Sequence, residues 1–334
     1  LEKLTLEDVK QFYTNHYTRA NLIIGVAGGF PDDFRAQLAQ DFAILPKGSG
    51  ARIGIPAPAT EPGLHVDIVQ RDTRSTAISL GFPIKVNRAH RDFVALKVAE
   101  SYFGQHRSSN SHLYQRLREA RGLNYGDYAY LEYFPRGMYL FQPQPNLARQ
   151  EQIFQIWIRP VPPEQSVFAF RAALYELDKF VREGISEQAF ESTREFLSKF
   201  VDVLLQTQSA SLGYALDSEY YGLADYREMM KESLASLTRE DVNEAIQRHL
   251  KSDSLYAVFV AKDAEGLKKS LLSGEPSPIS YNSPKPPALV AEDKLIEKFP
   301  LPVTEAAVKI TPVTEVFNSP PKSPAQKPAP RSPE

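Results

Sequence analysis

The sequence predicts an α+β fold: a two-layer sandwich with a mixed, mostly antiparallel sheet and helices packed on one face. Three observations lead there. Strand-like runs stand in hairpin order, two long amphipathic helices follow them, and a helix–strand–helix set occurs twice. The repeat is the most specific of the three. LT-x-EDV fills residues 4–9 and again residues 237–242, and at the same offset of 233 Leu22 falls on Leu255. Both apolar runs lead through a turn into a helix, near Pro31 and near Ala264. Matching order at one offset indicates a duplicated domain of roughly 230 residues. Residues 1–45 then form the tail of an incomplete first copy, 46–62 a linker and 63–274 a complete second copy.

The elements follow in order. Thr5 with Asp8 signals a helix N-cap, so a helix runs over 6–17. NLIIGVAG is an apolar run of strand length, and PDDFRAQLAQDF a further helix. GLHVDIVQR and STAISLGFP alternate or run apolar like neighbouring strands. Phe93, Leu96 and Ala99 stand at helical spacing within a helix over 88–104, and another helix spans 110–121. Strands are predicted near 124–133, 137–143 and 151–159. Residues 164–182 put Val167, Phe170, Leu174, Leu177 and Val181 on one stripe. Residues 187–205 do the same with Phe190, Leu197, Val201 and Leu204. Gly184 and Ser186 supply the stop and the N-cap between those two helices. From 275 the composition changes, with 14 of the 26 prolines in the last 60 residues. Residues 275–317 are expected as a Pro-rich extension, extended enough for LIEKFPLPVTEAAVKI to lie along the body. Residues 318–334 are expected to be a disordered tail.

Bulk properties exclude several classes. The chain has 334 residues, 24% charged and 42% apolar, with a net charge of −2. That balance is ordinary for a globular protein and gives no footprint for nucleic acid or an anionic membrane. The absence of cysteine removes disulfides and thiolate metal sites. No apolar run reaches the length of a membrane span. The chain opens directly on a helix signal and is expected to be a fragment or processed product. Its Pro-rich end and lack of cysteine suggest a periplasmic or otherwise exported bacterial protein.

A zinc site of the hydrolase kind needs closely spaced histidines. His16, His65, His90, His106, His112 and His249 show no HxxEH, HxxxH or inverted spacing, so no metal ligands are expected in this chain. No GxSxG is present. Gly25, Gly28 and Gly29 follow an apolar run, but their spacing is not GxGxxG, and the Asp32 and Asp33 carboxylates at the next helix would repel a pyrophosphate. The informative stretch is LYQRLREARGLNYGDYAY. Leu113 and Leu117 share a helix face and pack inward. Gly122 is placed to reverse the chain in a left-handed conformation. Arg118 and Arg121 in the last turn suit the helix dipole, which is the structural explanation for both. Strand alternation sets Tyr125 with Asp127, Ala129 and Leu131 on one face. The functional alternative pairs Arg118 with Tyr125: two hydrogen-bond donors, one permanently cationic, suited to a peptide carbonyl or an oxyanion.

SHLYQRLREARGLNY resembles the signature in the second half of insulinase-type zinc metallopeptidases, the group of pitrilysin, insulin-degrading enzyme and the mitochondrial processing peptidase. LTLEDVKQFYTNHYTRANLIIGVAGGF resembles the segment that closes their first half. The resemblance covers about residues 1–275 and implies two homologous α+β domains per half. It carries substrate binding to Arg118 and Tyr125, with Tyr125 donating to the carbonyl under attack. It places the zinc on an HxxEH helix outside this chain. The implied partners are a peptide substrate and an HxxEH-bearing catalytic domain or subunit in a dimeric assembly. Such a chain is the substrate-binding half or non-catalytic partner of a peptidase and is inactive by itself. The alternative is a non-proteolytic scaffold or core subunit of the same fold. His106 departs from the pattern, standing where relatives are usually glycine-rich.

Overall fold

The computed structural model describes residues 3–50, 54–58, 61–134 and 142–316. The predicted strand near 137–143 falls mostly outside these residues, as does the predicted tail.

The core is a six-stranded mixed sheet built from β1 (Leu64–Gln70), β2 (Thr76–Ile84), β3 (Gly126–Tyr130), β4 (Gln152–Val161), β5 (Leu255–Ala261) and β6 (Val308–Pro312). The strand order is β3-β4-β2-β5-β1-β6. The β3–β4, β4–β2 and β2–β5 pairs are antiparallel, whereas β1 lies parallel to β5 and β6. Period-two burial explains each choice of residue. Along β2 the even positions Ile78, Leu80, Phe82 and Ile84 are buried and the odd ones half-buried.

Ten α-helices stand among the described residues. They are α1 (Leu6–His16), α2 (Phe34–Asp41), α3 (Phe93–Gly104), α4 (Ser166–Glu183), α5 (Glu187–Leu204), α6 (Gln208–Tyr221), α7 (Tyr226–Ser236), α8 (Arg239–His249), α9 (Ala264–Leu272) and α10 (Pro287–Ile296). In α4 the predicted stripe holds, with Val167, Phe170, Leu174 and Leu177 buried. It stops at Gly184, with φ of +70°, and the Ser186 side chain then accepts from the Ala189 N–H to open α5. One helix end sets the site. Gly104, the last residue of α3, lies so close to β3 that a Cβ there would come 2.4 Å from the Ala129 nitrogen. Only glycine permits α3 to seat that deeply.

The repeat is visible in three dimensions. α1 and α8 both open with a capping box, Thr5/Asp8 and Thr238/Asp241. α8 buries Val242, Ala245 and Ile246, while the matching Val9, Phe12 and Tyr13 of α1 stay exposed. The predicted strand in NLIIGVAG does not form. Its counterpart β5 is held between β1 and β2, whereas Leu22, Ile24 and Val26 remain exposed and pair with no strand among the described residues. A strand needs neighbours to satisfy its backbone, and none of the described strands lies beside this run.

The stretch from 275 is more structured than an extended segment. It carries α10, and β6 adds to the sheet edge beside β1. Arg171 on α4 fastens its start by donating to the Glu275 carbonyl and the Ser277 hydroxyl, each at 2.9 Å.

Candidate functional site

The signature helix contains three arginines, and its backbone sorts them. Over Tyr114–Glu119 it is π-helical, not the predicted α-helix. A bonding step of five residues brings positions five apart onto one side, where an α-turn would separate them. Arg116 and Arg121 therefore reach the same acidic cluster. Arg116 donates to Glu176 on α4 (2.8 Å) and also to Glu292 on α10. Arg121 donates to Asp293 (2.8 Å), Glu292 (2.8 Å) and the Arg116 carbonyl (2.8 Å), with its side chain 0% exposed. The helix-dipole role predicted for Arg121 is thus replaced by a buried ion pair with α10.

Arg118 is the arginine left facing outward. Its guanidinium lies 4.3 Å from the centre of the Tyr125 ring and 4.7 Å from that of Tyr114, and Nη1 donates to the Tyr125 carbonyl at 3.1 Å. Gly122 makes the approach possible. With φ of +67° it reverses the chain, and its N–H bonds the Arg118 carbonyl at 2.7 Å. Leu113 and Leu117 anchor the opposite face at 0% exposure. Tyr125 is 70% exposed because it precedes β3 and does not share the buried face of Asp127 and Ala129. The predicted alternation therefore fails at Tyr125.

Arg118 and Tyr125 line one open cavity of about 750 Å³ together with His106, Arg107, Tyr114, Tyr128 and Arg159. A second, apolar groove of about 620 Å³ shares His106 and Arg107 with it and runs along α5 past Phe196, Phe200 and Val203. Tyr114 was not singled out in the sequence, although it lies four residues before Arg118 on the same helix. Arg107 and Arg159 come from separate loops and strands and carry no local signal.

Two buried groups bear on the electrostatics of the cavity: His106, which lines it, and Asp127, which is next in the chain to the lining residues Gly126 and Tyr128. His106 Nδ1 meets the Tyr130 hydroxyl at 2.6 Å, and its Nε2 is buried without a hydrogen-bond partner among the described residues. Burial first, then the charges of Arg107 and Arg159, lowers the His106 pKa to about 4, so the ring is neutral at pH 7. Asp127, at 0% exposure, has its carboxyl pushed up to about 8 by burial, against the Asn124 hydrogen bond and the Arg118 charge. Asp127 is thus mostly a neutral acid at pH 7. A raised folded-state pKa gives stability that is complete below pH 4 and is lost as pH rises through 8. Asp127→Asn, which mimics the protonated acid, is expected to flatten that loss. It should make the protein more stable than wild type at pH 9, by on the order of a few kcal/mol, with little difference at pH 4. Urea unfolding at the two pH values checks this, and equal wild-type and variant stabilities at pH 9 would contradict it.

The described residues do not fit a zinc site of the HxxEH kind. α3, the counterpart of that helix in the second copy, has no histidine, and its Lys97 ammonium is bonded to Glu100 (2.7 Å) and Gln142 (3.0 Å). His90, Asp92 and His249 do bring three possible ligand atoms within 4.8 Å of one another. Their carboxylate oxygen is already claimed, accepting from His249 Nε2 at 2.7 Å and Arg248 at 2.5 Å. Burial raises the Asp92 pKa, but these two donors outweigh it and hold the group below the usual carboxylate range. The cluster latches the start of α3 to the end of α8. Metal-freed protein titrated with zinc is expected to show no stoichiometric tight uptake. Tight uptake abolished by His249→Ala would contradict this.

A mixed sheet under a helical layer, with a glycine-reversed helix presenting an arginine and a tyrosine to an open cavity, defines the class: an α+β domain of insulinase-type peptidases. The chain belongs to the peptidase M16 inactive domain family, which matches residues 3–197, more than half of its length. It is 25% identical over 280 residues to an uncharacterized zinc protease of Mycobacterium tuberculosis, covering 80% of this chain and 57% of that protein. The chain thus spans little more than half the length of the curated relatives it matches. Among solved structures it resembles a peptidase M16 inactive domain from Pseudomonas fluorescens, with TM-score 0.63 and 23% identity over 77% of this chain and 57% of that one. It also resembles a chain of complex III from Candida albicans, with TM-score 0.61 and 14% identity over 78% and 60%. These two likenesses are of fold.

Proposed function

We propose that this chain is the substrate-binding half, or non-catalytic partner, of an insulinase-type zinc metalloendopeptidase, with Arg118 and Tyr125 acting as one peptide clamp. One observation carries the reading. Of the three arginines on the signature helix, two are locked to Glu176, Glu292 and Asp293, and the third is aimed with Tyr125 into an open cavity. Unlike Arg116 and Arg121, Arg118 lies against two tyrosine rings and a backbone carbonyl, and no carboxylate among the described residues accepts a hydrogen bond from it. Arg118 holds the peptide backbone. The Tyr125 hydroxyl donates to the scissile carbonyl oxygen as a water molecule attacks and negative charge develops there. Neutral Asp127 and neutral His106 add no negative charge beside it.

The zinc that the family supplies lies outside this chain, in a catalytic domain or subunit. The exposed apolar faces of α1 and of residues 22–26 are where such an α+β unit packs, since the same positions are covered in the second copy. The apolar groove along α5 extends the cavity and suits an extended peptide. A periplasmic or exported setting fits the absence of cysteine. The other reading, a non-proteolytic scaffold, draws on the fold likeness to complex III. The test is peptide cleavage by the full assembly with Arg118 and Tyr125 replaced: a scaffold gives no cleavage to lose.

A further inference from the structure

A packed helix needs one apolar stripe, and α5 carries two. Phe190, Leu197 and Val201 are buried in the core. Phe196, Phe200 and Val203, at i, i+4 and i+7, instead line the groove of about 620 Å³ beside the clamp cavity. Phe196 and Val203 are 43% and 52% exposed, and the Phe196 and Phe200 rings stack with centroids 5.2 Å apart. The other wall includes residues 143–145 and is anchored on α6. Gly213 lets Pro145 approach so closely that a Cβ there would meet it at 2.7 Å. Just beyond, the Asn146 N–H donates to the Asp217 carboxylate at 2.9 Å and the Arg149 N–H to the Tyr221 hydroxyl at 2.8 Å. Pro143 and Pro145 have no N–H, so this wall cannot pair a peptide backbone as a strand would. What the two walls offer together is apolar surface for a side chain.

The groove and the clamp cavity meet at His106 and Arg107, which line both. An extended peptide advances about 3.3 Å per residue, so a residue near the clamped bond presents its side chain to the groove. Building on the clamp reading, we infer that the groove takes one aromatic side chain of the clamped peptide, and that Phe196, Phe200 and Val203 set this preference. An aromatic ring buries a large apolar area and gains further contact against the stacked Phe196 and Phe200 rings. Leucine fills the same space without the ring contact, and serine buries little there.

The experiment uses the complete assembly and three fluorescent peptides, identical and rich in serine and alanine except for one central residue: phenylalanine, leucine or serine. Fluorescence anisotropy reads binding before turnover, at low and high salt. The phenylalanine peptide is expected to bind about tenfold or more tightly than the serine peptide, with leucine between them. The gap should persist at high salt, because it is apolar in origin. Phe196→Ser and Val203→Ser should each narrow the gap while leaving serine-peptide binding nearly unchanged. Both positions are exposed, so their unfolding midpoints should stay near wild type. Equal binding of all three peptides, still weakened by Arg118→Ala, overturns the subsite and leaves the clamp intact. A groove covered by another unit of the assembly gives that same result. A gap that survives both groove variants puts the aromatic pocket elsewhere and also overturns the subsite. Binding that ignores Arg118→Ala for every peptide overturns the clamp. A phenylalanine preference that then still answers to Phe196→Ser upholds the groove alone.

Discussion

Arg121→Ala is expected to destabilise the folded chain by about 3–5 kcal/mol. The cost does not come from losing a favourable contact. Arg121 has no exposed side-chain surface, and Asp293, which it pairs, is almost as deeply placed. Among the described residues, removing the guanidinium leaves Asp293 buried with the Tyr281 hydroxyl, 2.7 Å away, as its side-chain partner, and leaves Glu292 with Arg116. The same substitution frees the Arg116 carbonyl. Pairing Arg121→Met with Asp293→Leu should recover much of the loss, since an apolar pair of similar volume removes the stranded charge. Chemical denaturation of the two variants checks both statements, and a loss below about 1 kcal/mol for the single variant would contradict the ion-pair account. The π-helical turn makes this pairing possible, so position 121 cannot serve as a neutral control for position 118.

Arg118→Ala and Tyr125→Phe carry the largest expected effects on function. Tyr125→Phe deletes one hydroxyl from an exposed side chain and leaves the ring under the Arg118 guanidinium. The fold should be unchanged, and turnover in the assembled enzyme should fall on the order of a hundredfold, the usual cost of one oxyanion donor. Because the hydroxyl matters most when charge develops, kcat should drop more than KM rises. Arg118→Ala removes a cation that grips the ground state as well as the transition state, so it should raise KM and lower kcat together. It also removes the charge that lowers the Asp127 pKa, so Asp127 should titrate at higher pH in that variant.

How much of this was legible depends on the range of the interactions concerned. The repeat, the stripes on α4 and α5, the Gly122 reversal and the inward pair Leu113 and Leu117 are local patterns, and sequence periodicity carries local patterns well. The α+β class and the family resemblance followed from them. The fates of the three arginines did not. Arg116, Arg118 and Arg121 look alike in sequence, and their sorting depends on Asp293, 172 residues further on, and on a π-turn with no residue signature. The NLIIGVAG run has every local feature of a strand but pairs with none of the described strands, which no local pattern can report. Arg107 and Arg159 reach the cavity only through the folding of β3, β4 and the loop after α3. The cluster of His90, Asp92 and His249 escaped for the same reason, since histidine spacing along the chain says nothing about a turn before α3 meeting the end of α8.

The most direct test of the clamp is a steady-state comparison of peptide cleavage by the complete assembly in four forms: wild type, Tyr125→Phe, Arg118→Ala and Lys199→Ala. Lys199 lies on the exposed face of α5 in a surface pair with Glu195, away from the cavity, and its substitution should leave cleavage near wild type. The account predicts that kcat/KM falls on the order of a hundredfold or more in both clamp variants, with unfolding midpoints unchanged. Cleavage by Tyr125→Phe and Arg118→Ala at the rate of Lys199→Ala would contradict it, leaving Arg118 as no more than a cation at a helix end.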